Sequence, residues 1–330
     1  MRLLVDCDPG NGAVTADIDD GLALALAWAT PGVDLQLITI VNGNVAAELG
    51  GVIAAGLAEL AQSGVTIVIS EEQPAAEPSA RWRSLIDERS RGEEVAEYWR
   101  ETSPHLGTRP SPLDAAEHLA RAIRDDDEPA TLLALGPLTT VAAAERRRPG
   151  LLASCASVVV LGGAFAGATG VRELNFALDP EAADVVLSSG ANLTLVPLDI
   201  SRTSWITLED IEVLARSRQP LLRHLGVSSR AWIRWISETR NWPGANAHDL
   251  LAAAIALEPS IATYESATVR VELEPGPDRS RPVRDSALGR SNAQPISVVT
   301  GFDADRFREL YLHRFASPNQ TVPTPKGAHP

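Results

Sequence analysis

Five aspartates lie close together near the start of the chain: Asp6, Asp8, Asp17, Asp19 and Asp20. Carboxylates gathered at one point repel one another unless a cation lies among them. Hard divalent cations prefer oxygen ligands of this kind. The segment therefore predicts a site for Ca²⁺ or Mg²⁺.

Two predicted elements position these aspartates. The apolar residues 3–5 predict a buried strand, and Asp6 and Asp8, two residues apart, leave its C-terminal end on the same side. Asp19 and Asp20 enter the first turn of a predicted apolar helix, so the positive end of the helix dipole partly offsets their charge. The strand and the helix thus bring both groups of acids toward one point.

Other interpretations of the acidic segment depend on its neighbours. A solvent-facing acidic loop is the simplest alternative, although the acids adjoin a buried strand and an apolar helix. A calcium-binding EF-hand loop needs a preceding helix and a glycine at its sixth position, where Asn11 stands instead. An aspartyl-nucleophile phosphatase normally uses a lysine to hold the phosphate, and the only lysine of this sequence is Lys326, in a proline-rich tail.

The composition is that of an ordinary globular protein and limits its partners. Hydrophobic residues make up 45% and charged residues 22% of the 330 residues, which allows a large buried core. The formal net charge of −14 argues against nucleic acid, whose phosphates are bound by basic surfaces, and disfavours acidic substrates. No apolar run approaches the ~20 residues that span a bilayer, and no signal-peptide pattern opens the chain, so we expect a cytoplasmic protein without a membrane partner. Cys7 and Cys155 lie in or beside apolar strands, where cysteine behaves as a small buried hydrophobe.

Apolar runs alternate with helical patterns along most of the chain. The predicted strands are 3–5, 34–41, 66–70, 131–135, 158–161 and 193–198, followed later by 269–273 and 296–299. The predicted helices are 19–28, 45–62, 113–124, 138–147, one starting at Asp179-Pro180, and then 208–216, 220–239, 250–257 and 303–314. This alternation predicts an α/β fold with a mostly parallel sheet and helices on both faces, a Rossmann-like open sheet.

Polar groups follow the C-terminal ends of the predicted strands, which is where open α/β sheets bind ligands. They are, in chain order, Asp6, Asp8, Asn44, the Leu135 carbonyl, Glu173, Asn175 and Asp199. No repeat or linker divides the strands, so we predict one domain over residues 1–315 and a disordered tail over 316–330. The polar, irregular segment 71–112 is predicted to be a lid or an insert.

Two pairs in the second half of the chain have more than one interpretation. Trp232 and Trp235 stand three residues apart in a predicted helix, a spacing more typical of core packing than of base stacking. His248 and Asp249 open another predicted helix. From the residues alone, that pair is either a helix cap with its neighbour or a catalytic pair.

Taken together, these motifs resemble the inosine-uridine nucleoside hydrolase family. The family signature is a strand ending in Asp-x-Asp-Pro-Gly, followed by an Asp-Asp pair and a helix, as at 6–10 and 19–20. The other matches are 38–44 with the second strand, 135–139 with the Gly-Pro-Leu-Thr turn, 173–183 with the Glu-x-Asn…Asp-Pro-Glu-Ala-Ala segment, and His248-Asp249 with the late His-Asp. Each piece alone is a weak signal, but the set in this order is a strong one.

The resemblance implies an N-glycosyl hydrolase, a purine or pyrimidine nucleoside ribohydrolase that uses Ca²⁺. It would cleave ribonucleosides to ribose and free base by attack of a metal-bound water on C1′. The metal ligands would be Asp8, Asp20, the Leu135 main-chain carbonyl and Asp249; the ribose would be bound by Asp19, Asn44, Glu173 and Asn175. Asp8 would also deprotonate the water, and His248 would lie beside the leaving base. The resemblance also implies a role in nucleoside salvage and a homo-oligomer, a dimer or a tetramer.

Several alternatives stay open within this resemblance. The family usually has a single residue between Gly10 and Asp19, where residues 11–18 stand here, so Asp17 is an alternative for a role given to Asp19 or Asp20. A non-catalytic nucleoside-binding paralogue, and a hydrolase of another ribosyl compound such as nicotinamide riboside, are the alternative functions. Base specificity would depend on the 71–112 segment, where Trp82 or Trp99 is predicted to stack on the base.

Overall fold

Strand β1 lies inside the sheet, and all six of its residues are buried, four of them apolar. The structure is a computed structural model that describes residues 1–74, 88, 92–111, 113–166, 172–284 and 294–316. Its strands are β1 (Arg2–Cys7), β2 (Asp34–Ile40), β3 (Thr66–Ile69), β4 (Thr131–Ala134), β5 (Ser157–Leu161), β6 (Leu193–Val196), β7 (Trp205–Ile206), β8 (Ala245–Asn246), β9 (Ala262–Ala267), β10 (Val269–Val271), β11 (Pro282–Arg284) and β12 (Ile296–Phe302).

Eight of these strands form the main sheet, in the order β3-β2-β1-β4-β5-β6-β12-β9. All neighbours run parallel except β9, which pairs antiparallel with β12 at the edge. Strand β1 pairs with β2 on one side and β4 on the other, so the strand order reverses around it. Open α/β sheets bind ligands at such a switch point, beyond the C-terminal strand ends.

Helices cover both faces of the sheet, as predicted. They are α1 (Asp19–Ala29), α2 (Ala47–Leu60), α3 (Glu93–Tyr98), α4 (Ala115–Arg124), α5 (Thr139–Arg147), α6 (Leu174–Leu178), α7 (Pro180–Leu187), α8 (Leu198–Ser201), α9 (Leu208–Ala215), α10 (Pro220–Arg240), α11 (His248–Leu257) and α12 (Ala304–Ala316), with 3-10 turns at Leu152–Ser154 and Pro259–Ile261. Apolar residues of α1, α2, α10, α11 and α12 form the core on one face. Those of α4, α5 and α7 form the core on the other face.

The structure adds short elements that were not predicted, among them β7, β8, β11, α3 and α6, and it differs from the predicted elements in three further respects. The strand predicted over 193–198 ends at Val196, and residues 198–201 form the short helix α8 because Pro197 has no N–H to continue the ladder. The strand predicted over 269–273 is β10, which pairs only with β11, outside the main sheet. The edge strand β9 was not predicted, because its half-exposed residues show no strong apolar pattern.

The described part of the predicted lid packs on the protein rather than standing apart. Within residues 92–111, Tyr98 donates a hydrogen bond from its hydroxyl to Glu238 (2.7 Å), and the Gly107 N–H donates to the Val52 carbonyl (2.9 Å). Trp82 lies outside the described residues. Of the predicted tail, Ala316 is the last residue of α12 and the rest also lies outside them. None of the helices in the described ranges has the length and apolar character needed to cross a membrane.

Candidate active site

One cavity of about 280 Å³ opens at the C-terminal ends of the central strands. Its walls contain every residue that the resemblance assigned to catalysis, metal binding or ribose binding: Asp8, Asp19, Asp20, Asn44, Leu135, Glu173, Asn175, His248 and Asp249. The alternative residue Asp17 lines it as well. The fold thus brings these groups together from six separate stretches of the chain, while the role of each stays a prediction.

Three buried carboxylates form the densest acidic group of the cavity. Asp19, Asp20 and Asp249 each offer a ligand oxygen, and these oxygens lie within 4.8 Å of one another. The Asp249 backbone N–H donates to Asp19 Oδ2 (2.9 Å), which joins the first turn of α11 to that of α1. Both helices direct their positive ends toward the carboxylates, which lowers the cost of burying negative charge there.

Asp8 adjoins this group and is held by backbone contacts. Its N–H donates to Asp20 Oδ1 (3.1 Å), and its Oδ2 accepts the Asn44 N–H (2.6 Å). A Cβ on Gly43 would lie 1.8 Å from Asp8 Oδ2, so only glycine allows the loop after β2 to approach this closely. The position of Asp8 is therefore set by strand β1 and by the neighbouring loop together.

The electrostatics of the group fit a divalent cation. Burial raises the pKa of Asp8 to about 7, and it raises the pKa values of Asp20 and Asp249 well above their usual range. The next largest effect on Asp249 is repulsion from the neighbouring aspartates, which raises its pKa further. A cation among these oxygens would offset both costs, and the donor set consists of hard oxygens. The cluster could therefore bind a metal.

Asn11 organises the extra residues 11–18 that precede α1. Its side chain is fully buried. The Nδ2 atom donates to the Ile18 carbonyl (2.6 Å), and the Oδ1 atom accepts the Gly21 N–H (3.1 Å). This clamp places Asp17 at the cavity wall, where its N–H donates to Asn44 Oδ1 (2.9 Å). The longer loop thus adds Asp17 to the site without displacing Asp19 or Asp20 from the first turn of α1.

The opposite wall carries amide and carbonyl groups. Asn175 Nδ2 donates to the Leu135 carbonyl (2.6 Å), which leaves that oxygen a second lone pair toward the cavity. Glu173 caps α6 by accepting the N–H groups of Asn175 (2.7 Å) and Phe176 (3.0 Å). It also accepts the N–H of Gly163, in the loop after β5 (2.7 Å). Burial nevertheless raises the pKa of Glu173. Glu173 therefore both holds the wall together and presents a carboxylate to the cavity.

His248 stands beside the carboxylates at the start of α11. Its Nδ1 lies 2.8 Å from the hydroxyl of the buried Ser201 at the end of α8. Burial lowers the pKa of His248, which favours the neutral imidazole. When Ser201 donates to Nδ1, the proton of the neutral ring sits on Nε2, the remaining hydrogen-bonding atom.

Asp6, Asp199 and Trp99, which the sequence analysis placed at or near the site, are not among the residues that line this cavity. Asp199 does not line the cavity; its carboxylate accepts the N–H groups of Phe165 (2.6 Å) and Ala166 (2.9 Å) and so fixes the loop after β5. Trp99 does not line the cavity either, and Trp82, the other tryptophan named for base stacking, lies outside the described residues. It is 5% exposed and packs edge-on against Trp235 (ring centroids 5.8 Å apart), within the hydrophobic core.

The sequence analysis did not assign two polar residues of the cavity to the site. Ser201 and Arg172 both line it. The only signal for Ser201 in the sequence is that it follows the predicted strand 193–198, at the sheet edge where the other groups lie. Arg172 immediately precedes Glu173, and its guanidinium donates to the Gly276 carbonyl (3.0 Å), a contact that no local pattern indicates.

An open, mostly parallel α/β sheet with a carboxylate-lined cavity at its switch point defines the class of protein: a Rossmann-like α/β protein that binds its ligand at the C-terminal strand ends. The sequence profile of the inosine-uridine preferring nucleoside hydrolases matches residues 3–309. The chain therefore belongs to the inosine-uridine preferring nucleoside hydrolase family.

Individual relatives agree with this membership. The chain is 30% identical to the pyrimidine-specific ribonucleoside hydrolase RihA of Photobacterium profundum, over 96% of this chain and 98% of that protein. It is 27% identical to uridine nucleosidase 1 of Arabidopsis thaliana, over 96% and 94% of the two chains. The solved plant nucleoside hydrolase PpNRh1 superimposes with a TM-score of 0.82 at 26% identity, over 96% of this chain and 99% of that one. A purine-preferring ribonucleoside hydrolase from Gardnerella vaginalis shares the fold, with a TM-score of 0.77.

Proposed function

We propose that this protein hydrolyses the N-glycosidic bond of ribonucleosides to ribose and free base, in a Ca²⁺-dependent reaction. The observation that carries the proposal is the cavity that gathers buried carboxylates, amide side chains, the Leu135 carbonyl and His248 in its walls. Breaking the bond builds positive charge on the ribose, and carboxylates preorganised around it stabilise that charge.

The ion would be held by Asp8, Asp20, the Leu135 carbonyl and Asp249. When bound, calcium would orient ribose hydroxyls and lower the pKa of the attacking water. Asp19 is the alternative to Asp8 as a ligand, because its carboxylate belongs to the same group of close oxygens as Asp20 and Asp249.

The residues of this chain would divide the proton transfers between them. Water attacks C1′ and gives a proton to Asp8, while the C1′–N bond breaks and its electron pair goes to the base nitrogen. His248 donates a proton, or a hydrogen bond, to the departing base. The ribose hydroxyls would be held by Asp19, Asn44, Glu173 and Asn175, with Asp17 beside them.

The experiment is a panel of ribonucleosides incubated with the purified full chain and calcium, followed by an assay for free ribose. We expect release of ribose, loss of activity after exhaustive chelation, and recovery when calcium is added. Binding of nucleosides without release of ribose would favour a binding-only paralogue. Cleavage of nicotinamide riboside, without cleavage of the purine and pyrimidine ribonucleosides, would favour the alternative function, hydrolysis of another ribosyl compound. The cytoplasmic location, the role in salvage and the homo-oligomer remain predictions from the sequence.

A further inference from the structure

A second cavity, of about 480 Å³, adjoins the first. The two share His248, Asp17 and Leu198, so a ligand in the second would lie on the side of His248 away from the carboxylate group. A ribose in the first cavity would therefore direct its leaving base toward the second. The groups that line the second cavity determine which bases fit.

Aromatic side chains supply much of its wall. Trp205 of β7 and Trp242 pack edge to face, with ring centroids 5.7 Å apart, and Trp232 of α10 also lines the space. Trp242 is 37% exposed, a large fraction for an indole that touches other side chains. Indole faces bind planar heterocycles by stacking, so the cavity suits a planar leaving group.

Two arginines line the same space. Arg240 places its guanidinium carbon 4.9 Å from the centroid of the Trp242 ring, and the backbone of Arg202 is fixed by a hydrogen bond from Asn246 Nδ2 to its carbonyl (2.7 Å). Within the described residues, neither guanidinium forms an ion pair with a carboxylate, although acidic residues outnumber basic ones 43 to 29 in the sequence. Other arginines of this chain are paired, such as Arg230 with Glu212 (2.7 Å).

The cavity therefore has a charge opposite to that of the protein as a whole. Asp17, shared with the first cavity, is the one carboxylate among the residues found to line it. Guanidinium groups bind anionic oxygens through charge-assisted, often bidentate hydrogen bonds, and both arginines are exposed and so accessible to a ligand.

We infer that the second cavity binds the leaving base and selects a planar heterocycle that carries an anionic oxygen, stacked against a tryptophan and bound by Arg202 and Arg240. The inference rests on the proposed hydrolysis of ribosyl compounds and names the substrate class of that site. It differs from the expectation, drawn from the net charge of −14, that acidic substrates are disfavoured, because the charge nearest the base is that of the two arginines.

Two matched pairs of substrates test the inference. Nicotinic acid riboside and nicotinamide riboside differ only by a carboxylate in place of an amide, and xanthosine is a more acidic oxopurine than inosine. The pyridine nitrogen keeps the electron pair of the broken bond and needs no proton, so the first pair reports charge recognition alone. We expect kcat/KM to be higher for the anionic member of each pair. The two pairs distinguish a carboxylate from an ionised ring oxygen as the preferred anion.

Arg202→Gln and Arg240→Gln should each lower kcat/KM for the anionic members by about 10-fold or more, the loss for one charge-assisted hydrogen bond. The kcat/KM values for nicotinamide riboside and inosine should change little. Arg218→Gln is the matched control, because Arg218 is an exposed arginine that lines a different groove. Unchanged melting temperatures would show that the variants fold.

Equilibrium binding of free nicotinate and nicotinamide, measured by calorimetry, separates this inference from the proposed function. Tighter binding of nicotinate, lost in Arg202→Gln, would support the inference even in a protein that released no ribose. Equal binding and equal turnover of both members of each pair, by a protein that cleaves p-nitrophenyl riboside, would overturn the inference and leave the proposed function intact.

Discussion

At the residue scale, Asp8 and Asp20 are joined by one hydrogen bond but differ in their surroundings. Asp8 accepts a backbone N–H from the loop after β2, whereas Asp20 belongs to the close group with Asp19 and Asp249. A proton acceptor needs a pKa near the working pH, and a metal ligand needs neighbouring oxygens. Substitution of each residue should therefore have a different effect.

Asp8→Asn should keep the fold and reduce kcat by about 10²–10⁴-fold, because the amide can still offer an oxygen but cannot accept the proton of the attacking water. Asp20→Ala should instead lose the metal, measured by elemental analysis of the purified protein. Asp125→Asn, at an exposed position, is the control. Wild-type rates in both variants would show that these roles are wrong.

His248→Ala should separate leaving-group chemistry from ribose activation. A departing purine or pyrimidine is a poor anion, so hydrolysis of inosine or uridine should fall by about 10²–10⁴-fold. Hydrolysis of p-nitrophenyl riboside, whose leaving group is stable as an anion, should change little. Ser201→Ala should produce a smaller loss with the same substrate dependence, because Ser201 fixes the imidazole. Equal losses on both kinds of substrate would mean that His248 only positions Asp249.

At the element scale, the loop before α1 depends on one side chain. Asn11 binds the Ile18 carbonyl at one end of the loop and the Gly21 N–H in the first turn of the helix. A Cβ on Gly21 would lie 2.2 Å from Asn11 Oδ1, so the helix can approach this clamp only with glycine there. The Asn11 side chain therefore fixes the loop to the first turn of α1, where Asp19 and Asp20 lie.

Asn11→Ala should lower the free energy of unfolding by ~1–3 kcal/mol, because two buried backbone groups lose their partners. It should also weaken calcium binding, since Asp19 and Asp20 follow the loop directly. Chemical denaturation and calcium titration measure the two effects. Asn192→Ala is the matched control: Asn192 makes one side-chain hydrogen bond, to the Ala156 carbonyl (2.8 Å), from an exposed position. Equal effects of the two substitutions would contradict the clamp.

Within segment 71–112, the two tryptophans should respond differently. Trp99→Ala should destabilise the protein by ~3–5 kcal/mol because it opens a cavity beside Trp235, and it should leave KM unchanged in the folded enzyme. Trp82→Ala should raise KM for nucleosides if the segment is a lid, as the sequence predicts. Identical KM values for wild type and Trp82→Ala, across purines and pyrimidines, would remove Trp82 from the site.

At the scale of the whole molecule, the buried acids link stability to pH and to metal. Burial raises the pKa values of Asp6 and Asp8 in the folded protein to about 7, above their values in the unfolded chain. The folded state then binds more protons than the unfolded state between about pH 4 and pH 7. The stability of the metal-free protein should therefore fall as the pH rises through this range.

Calcium should offset that fall, so the increase in melting temperature on adding calcium should be larger at pH 7 than at pH 5. Differential scanning calorimetry of the chelated and calcium-loaded protein at both pH values measures this. Asp20→Asn should reduce the difference, because it removes one of the repelling charges. The same increase at both pH values would show that calcium does not act on these carboxylates.

The sequence by itself determined the elements and the acidic edge of the sheet. Apolar runs and helical periodicity reflect which local backbone conformations can bury their side chains, so β1, α1 and α11 were predicted close to their observed positions. Asp249 was assigned through the resemblance to the family, whereas Asp8 and Asp20 were singled out because each directly follows a strand or opens a helix. Strand ends in a parallel sheet meet at one edge, and therefore local position alone implied that these acids converge.

Only the tertiary structure decided which distant side chains meet. Asp199 follows a strand as Asp8 does, yet it turns to the loop after β5, and Trp99 enters the core instead of the site. The contact of Ser201 with His248 spans 47 positions of the chain, and the second cavity combines the ends of α8 and α10 with β7. Such contacts depend on the angles and distances at which helices pack on the sheet. These are set by the whole core, so no local pattern of residues encodes them.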